Sequence, residues 1–271
     1  MNETGLVVEE LNSWGIPPED DRSYKLNEFQ FVQYCLDNCS SIGEVLELKD
    51  SISIEPVFVN LHYLISDSEG EVAVVEFYDG KSFFYSGDEV GYPVLSNNHY
   101  NQLVKYISNF EGFGGKQELL STNSSGERFV RVATMIKELR SNSLEVGVQD
   151  AFLILDRVKQ KDTQWSIVYD IKKQKIYFTT AWNDSLCVID CKGFDFSVKT
   201  SAMMLDIKKQ YEGLLNTHFS DFDLAVNKGL LKSVYQQLVL DGYDNKIKEK
   251  ILNIAEFAED IGVKKSNDLL I

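Results

Sequence analysis

The sequence predicts an α+β protein with antiparallel sheets and segregated helices. Strand-like and helix-like runs come in blocks, in the order strand, helices, strands, helices, strands, helices, whereas a parallel doubly wound sheet needs regular alternation. Successive strands are mostly joined by short turns; Asp79-Gly80, between Val72–Phe77 and Phe83–Tyr85, is a two-residue hairpin signal. The Val/Ile-rich strands, Val72-Ala73-Val74-Val75 among them, read as buried on both faces, as in a layered sandwich covered by helices.

The elements follow in chain order. Gly5 to Glu10 reads as a strand and ends before the Pro17-Pro18 loop. Asn27 caps a helix running to about Asn38, and Ser41-Ile42-Gly43-Glu44 has the capping-box form that opens a second, short helix. His62–Ser66, Val72–Phe77 and Phe83–Tyr85 are strands, and Pro93–Ser96 begins another that stops at Asn97-Asn98. Helices are expected over Tyr100–Phe110, Arg128–Leu139 and Val148–Val158. A second β region holds Trp165–Asp170 and Ile176–Thr180, with Leu186–Asp190 and Phe194–Val198 extending it. Two apolar stripes of helical period, Leu231/Val234/Tyr235/Leu238 and Ile247/Ile251/Ile254/Ala258/Ile261, make the end of the chain helical.

Composition narrows the function classes. Of 271 residues, 44% are hydrophobic and 12% aromatic, which excludes wholesale disorder. With 17 Gly, 4 Pro and 4 Cys, collagen-like and disulfide-rich classes are excluded too. Lys+Arg number 27 against 42 Asp+Glu, a net charge of −15. Such a surface repels phosphates, so neither nucleic acid nor an anionic membrane is an expected partner. No apolar run approaches the ~20 residues that span a bilayer. The acidic start, Met1-Asn2-Glu3, is not a signal peptide. Localisation is cytoplasmic as the sequence stands, and exported if a leader precedes it.

The cysteines fall as Cys35-x-x-x-Cys39 and Cys187-x-x-x-Cys191. A four-Cys zinc site is conceivable, but Val32, Cys35, Leu36 and Cys39 share one apolar helical stripe, and buried cysteines act as small hydrophobes. No metal and no cofactor are expected. The histidines, His62, His99 and His218, are scattered, with no Ser or Cys beside them in a recognisable catalytic motif. His62 is expected to pack in a sheet.

Five segments carry a resemblance. They are Met1–Asn12 (MNETGLVVEELN), Leu61–Ile65 (LHYLI), Val94–Asn98 (VLSNN), Glu127–Arg131 (ERFVR) and Trp165–Asp170 (WSIVYD). In this order, over roughly residues 1 to 200, they resemble the choloylglycine hydrolase family of N-terminal-nucleophile hydrolases, in particular the linear amide C–N hydrolases related to penicillin V acylase. The resemblance implies a four-layer αββα fold over 1–205, incomplete at its N-terminus, followed by a helical extension over 206–271. It implies hydrolysis of a linear amide bond in an N-acylated small molecule by an N-terminal Cys whose own α-amine is the general base. An α-amine titrates near neutrality, so it can take the thiol proton at working pH.

By the same resemblance, Asn12 and Asn97 match positions that donate to the tetrahedral oxyanion, and Arg128 matches an arginine that helps hold the nucleophile in place. The nucleophile itself matches no residue here: Met1 falls where the family has an internal methionine. Each site residue also has a structural reading, in which Asn12 ends a strand, Asn97-Asn98 makes a turn and Arg128 is a helix-surface cation. The aromatic loops around Trp14 and Phe110–Phe113 are either an acyl pocket or core. The alternatives for function are an inactive, truncated remnant and an α+β ligand-binding module. A first strand lacking neighbours leaves a bare edge, so self-association of the isolated chain is expected.

Overall fold

The computed structural model describes residues 1–18, 24–56, 59–141, 147–197 and 199–240. The expected apolar stripe from Ile247 to Ile261 lies outside the described residues.

The chain opens with β1 (Val7–Asn12), β2 (Tyr24–Leu26), α1 (Glu28–Asn38), α2 (Ile42–Glu47) and β3 (Ile52–Ile54). Next come β4 (Leu61–Ser66), β5 (Val72–Tyr78), β6 (Lys81–Ser86), α3 (Tyr100–Ile107), α4 (Ser125–Ser141) and α5 (Val148–Asp156). The remainder holds β7 (Trp165–Asp170), β8 (Lys175–Thr180), β9 (Asn183–Asp190), β10 (Met203–Met204), β11 (Gly213–Leu214), β12 (Ser220–Asp221) and α6 (Leu224–Leu240). Among the described residues two four-stranded sheets form, in the orders β1-β4-β5-β6 and β11-β9-β8-β7. All pairings in the first are antiparallel, as the hairpin signals predict. At Asp79 (φ 49°) and Gly80 (φ 68°) both turn residues are left-handed, and Tyr78 pairs with Lys81 across them. That backbone matches the right-handed twist of the flanking strands.

Residue parity divides the first sheet between two cores. Tyr63, Ile65, Ala73, Val75, Phe77 and Phe84 point to one face and pack with Phe31 and Cys35 of α1 and Ile42 and Val45 of α2. Leu64, Val74 and Tyr85 point to the other and pack with Tyr100, Leu103 and Ile107 of α3 and Phe129 and Val130 of α4. β5 is therefore buried on both faces, which explains its apolar run, broken within the strand only by Glu76. The second sheet approaches through β7: Tyr169 Oη donates to Glu9 on β1 at 2.5 Å, and Gln174 donates to the Glu3 carbonyl. α5 packs against β7.

Local chemistry sets the helix ends. Asn27 caps α1, its side chain accepting from the Phe29 and Gln30 amides while Gln30 reaches back to the Asn27 amide. Ser41 caps α2 through the Glu44 amide, whereas the Glu44 carboxylate goes one residue further back, to Ser40. Asn2 is a staple between the chain start and α1. Its Oδ1 accepts from Thr4 and from the Leu6 amide, and its Nδ2 donates to the carbonyls of Leu36 (3.0 Å) and Cys39 (2.8 Å) at the helix end. Those carbonyls have no partner within the helix, so Asn2 supplies one.

Three expectations need correction. Pro93–Ser96 is not a strand; Val94 and Leu95 are buried by side-chain packing onto the α3/α4 core, without a ladder. Phe194–Ser197 is not a strand either: Phe194 packs on Phe196 and Phe219 instead. The stretch from 206 does not begin helical. β11 joins β9 in parallel, Leu215 is fully buried with Phe178 and Cys187, and, after a single 3-10 turn at Asn216–His218, α-helix resumes at Leu224.

Asn2→Ala removes the donor and acceptor of one side chain and leaves the Leu36 and Cys39 carbonyls and the Leu6 amide without that partner. It is expected to lower unfolding stability by about 2 kcal/mol, measured by urea denaturation.

Candidate active site

The three residues singled out by sequence, separated by up to 116 positions, meet at one place. Arg128, in the first turn of α4, donates from Nη2 to Asn97 Oδ1 at 2.7 Å. Asn97 Nδ2 donates to the Asn12 carbonyl at 2.9 Å. A single hydrogen-bonded chain thus runs from α4 through the segment before α3 to the last residue of β1. Arg128 is half-buried, and its Nε also donates to the Asn123 carbonyl at 3.3 Å. Burial, and then the nearby Arg131, hold its guanidinium below the usual arginine value; it remains charged at any ordinary pH.

Asn12 enters this chain through its backbone. Its backbone carbonyl, not its side-chain amide, makes the contact, and the residue is otherwise exposed. Strand alternation is the reason: Asn12 pairs with Leu61, whose side chain joins the α1/α2 core, so the Asn12 side chain starts toward that face.

Asn97 is held from both sides. Ser96 Oγ donates to the Ser125 carbonyl (2.9 Å), and the Asn98 amide donates to Ser125 Oγ (2.9 Å), which clamps the segment to the start of α4. The loop before α4 is fixed in turn. Glu127, buried, accepts from Tyr106 Oη and the Leu120 amide, and Arg131 donates to the carbonyls of Leu120, Thr122 and Arg157. None of these supports was singled out by sequence, because serines near a loop carry no pattern of their own.

Beneath the cluster lies a polar node that sequence reading also missed. Glu76 is 0% exposed, yet it carries a carboxylate into the middle of β5. His62 Nδ1 lies 2.9 Å from its Oε1, and the Tyr100 amide donates to it at 3.1 Å. His62 does pack in the sheet, as expected, and is paired there. One signal was available: a lone Glu inside Val-Ala-Val-Val-Glu-Phe must have a partner, because a buried charge without one is too costly.

The loop after β1 folds over this node. Trp14 meets the His99 ring edge-on at 5.5 Å, and His99 stacks on Tyr78 at 3.7 Å. Gly15 has φ +117°, and a Cβ there would lie 2.7 Å from Tyr78 Cβ, so only glycine fits. Trp14 therefore stands beside the Asn97 segment. Phe110 is buried in the α3/α4 core, and Phe113 lines a separate cleft with Tyr92, Ile136, Lys137 and Arg140. Lys137 is nine residues beyond Arg128, half a turn away around α4, so that cleft is not part of the cluster.

No described helix is long and apolar enough to cross a membrane, and no group of three or more His, Cys, Asp or Glu among the described residues could hold a metal ion. All four cysteines are buried. Cys35 and Cys39 lie in the α1/α2 core, Cys187 on β9 and Cys191 just after it.

The fold and this cluster define a class. Residues 1–205 match the model of the linear amide C–N hydrolases, choloylglycine hydrolase family, and the chain belongs to that family. It is 25% identical over 229 residues to penicillin V acylase of Pectobacterium atrosepticum, a match covering 70% of this chain and 60% of that protein. The chain thus spans less than two thirds of that relative's length. Among solved structures, penicillin V acylase from Agrobacterium tumefaciens superposes with a TM-score of 0.71 at 25% identity, covering 82% of this chain and 76% of the other. A mutant of conjugated bile acid hydrolase from Clostridium perfringens gives 0.62 at 19% identity, covering 82% and 75%. These likenesses bear out the α+β, N-terminal-nucleophile hydrolase fold.

The loop and the strand at the site's rim can each be probed by one substitution. Gly15→Ala forces both a left-handed alanine and a clash with Tyr78; stability is expected to fall by about 2 kcal/mol, with a change in Trp14 fluorescence. Glu10 is pushed up to about 7 by desolvation and then by Glu9 and Glu28, although it keeps an exposed flank. Its proton is bound more tightly in the folded chain than in the unfolded one. Stability is therefore full below the unfolded value of 4.5 and is lost as pH rises through 7. Glu10→Gln is expected to raise stability at pH 8 and to leave it unchanged at pH 4, read by denaturant unfolding at the two pH values.

Proposed function

We propose that this chain forms the oxyanion-donor and arginine side of a cysteine-type amidase site, which hydrolyses a linear amide C–N bond in an N-acylated small molecule. The observation that carries the reading is the hydrogen-bonded chain Arg128–Asn97–Asn12, assembled from three distant segments of a chain that belongs to an amide hydrolase family. Penicillin V acylase and conjugated bile acid hydrolase, the named activities of similar proteins, support a substrate in which an acyl group is joined to an amine through a non-peptide amide.

The chemistry assigned to each residue follows from its bonds. Asn97 Nδ2 carries two protons, one of them given to the Asn12 carbonyl. The other is available to the oxygen that becomes negative when a thiolate attacks the amide carbon. Arg128, bonded to Asn97 Oδ1, fixes which way the amide is turned and polarises its N–H bonds. A donor preset for the tetrahedral oxyanion stabilises the transition state more than the ground state. Collapse of that intermediate breaks the C–N bond, the amine leaving with the proton that the thiol gave up, and water then cleaves the remaining thioester to the acid and the free thiol.

The thiol in this reading comes from outside residues 1–271. Cys35 is raised above an ordinary thiol by its hydrogen bond with Cys39 and by burial, and burial raises Cys187 and Cys191. None of the three is an activated nucleophile. Cys39 is only 5% exposed, with its backbone amide bonded to Cys35 at the end of α1.

The test is amine release from penicillin V and from a glycine-conjugated bile acid by the product of the complete reading frame. Asn97→Ala is expected to lower kcat by about 100- to 1000-fold with a smaller change in KM, and alkylation of an N-terminal thiol is expected to abolish turnover. No release from either substrate, with binding retained, would favour a ligand-binding module instead.

A further inference from the structure

Two fixed points flank Asn97, and only one of them is the serine clamp. The other is Glu76. Both of its carboxylate oxygens lie 3.1 Å from the Tyr100 amide, three residues beyond Asn97, at the start of α3. The residue before that helix, His99, makes no side-chain cap. The capping role falls to a carboxylate from another element, placed where the helix dipole favours negative charge.

The surroundings of Glu76 leave it little freedom. Residues 74–76 lie in the centre of β5, between β4 and β6. His62 and His99 bring Nδ1 atoms to 2.9 and 3.4 Å of Glu76 Oε1, and these histidines are 0% and 4% exposed. His99 is itself wedged between Tyr78 and Trp14. Among the described residues His62 Nε2 and His99 Nδ1 have no hydrogen-bond partner, so the carboxylate is the group that His62 is held by. Burying a carboxylate here is expensive, and a strand packed on both faces has no structural need for one.

We infer that Glu76 is a positioning residue for Asn97: through the Tyr100 amide, with His62 holding the carboxylate, it sets where the segment 97–99 enters α3 and hence where the Asn97 amide points. This rests on the reading of Asn97 as an oxyanion donor. Glu76 touches no reacting atom. Its effect is transmitted by the backbone from Tyr100 to Asn97, and Ser125 fixes the intervening Asn98 amide. A donor displaced by a fraction of an ångström loses much of its value in the transition state and little in substrate binding.

The experiment is a double-mutant cycle on the full protein with Glu76→Gln, Asn97→Ala and both together, reading kcat and KM separately. Gln keeps the size and an acceptor but loses the charge. Glu76→Gln is expected to lower kcat about tenfold with KM within twofold, and to cost nothing further in the Asn97→Ala background. Unchanged kcat in the single variant, or the same tenfold loss in both backgrounds, would overturn the inference, since a merely structural role acts regardless of Asn97. Hydrogen exchange of the Asn97 side-chain amide is the second readout and does not depend on turnover. Faster exchange in Glu76→Gln supports the inference, and unchanged exchange overturns it, even where absence of hydrolysis by the unmodified protein has already rejected the amidase reading. If Glu76→Gln does not fold, Glu76→Asp, which withdraws the charge by one methylene, is read the same way.

Discussion

The hydrogen bond from Arg128 to Asn97 completes, with the Ser125 clamp beside it, the join between the segment before α3 and the start of α4. α4 packs on α3 and on the first sheet through apolar side chains, and that packing is non-directional. It brings the helix to the sheet without deciding its rotation or its height. The Arg128 guanidinium constrains both, because its Nη2 bonds Asn97 while its Nε bonds the Asn123 carbonyl, and the planar group can meet both only within a narrow geometry. With Asn97 passing the bond on to the Asn12 carbonyl, the end of β1, the loop before α3 and the start of α4 become one assembly.

Around that assembly, buried and part-buried polar side chains act as staples between elements. Glu76 ties β5 to α3, Glu127 ties α4 to the loop at Leu120, Asp67 ties the turn after β4 to the start of α2, and Asn2 ties the chain start to the end of α1. Each sits where a backbone amide or carbonyl would otherwise lack a partner. A group left unpaired in the interior costs more than a formed bond gains, so such staples select one arrangement over near alternatives more than they add net stability.

β1 lies at the end of its sheet, and among the described residues its one strand partner is β4. Glu9 and Glu10 stand in the middle of this edge strand. Antiparallel pairing of two such edges brings carboxylates together, which opposes association of like copies. This charge works against the self-association that a bare edge otherwise favours. Glu9 is occupied on one side by Tyr169, whose hydroxyl is raised by burial and by Glu9 itself, so the bond is kept as a neutral donor to a carboxylate.

Sequence by itself determined what depends on neighbours in the chain. Asn27 and Ser41 cap helices because capping needs only the next few amides, and Asp79-Gly80 turns because two left-handed residues in a row prefer few other structures. The five family segments also singled out Asn97 and Arg128, which the fold brings within hydrogen-bond distance. Tertiary structure decided the rest. Val94-Leu95 reads as strand, but their burial comes from helices, and an apolar pair does not reveal what covers it. Asn12 joins the site by its carbonyl because strand parity starts its side chain toward the other face. Glu76, Ser96 and Ser125 became part of the site only when a carboxylate, two hydroxyls and the amides they hold were brought from different elements to within hydrogen-bond distance, a relation between separated residues that no local pattern encodes.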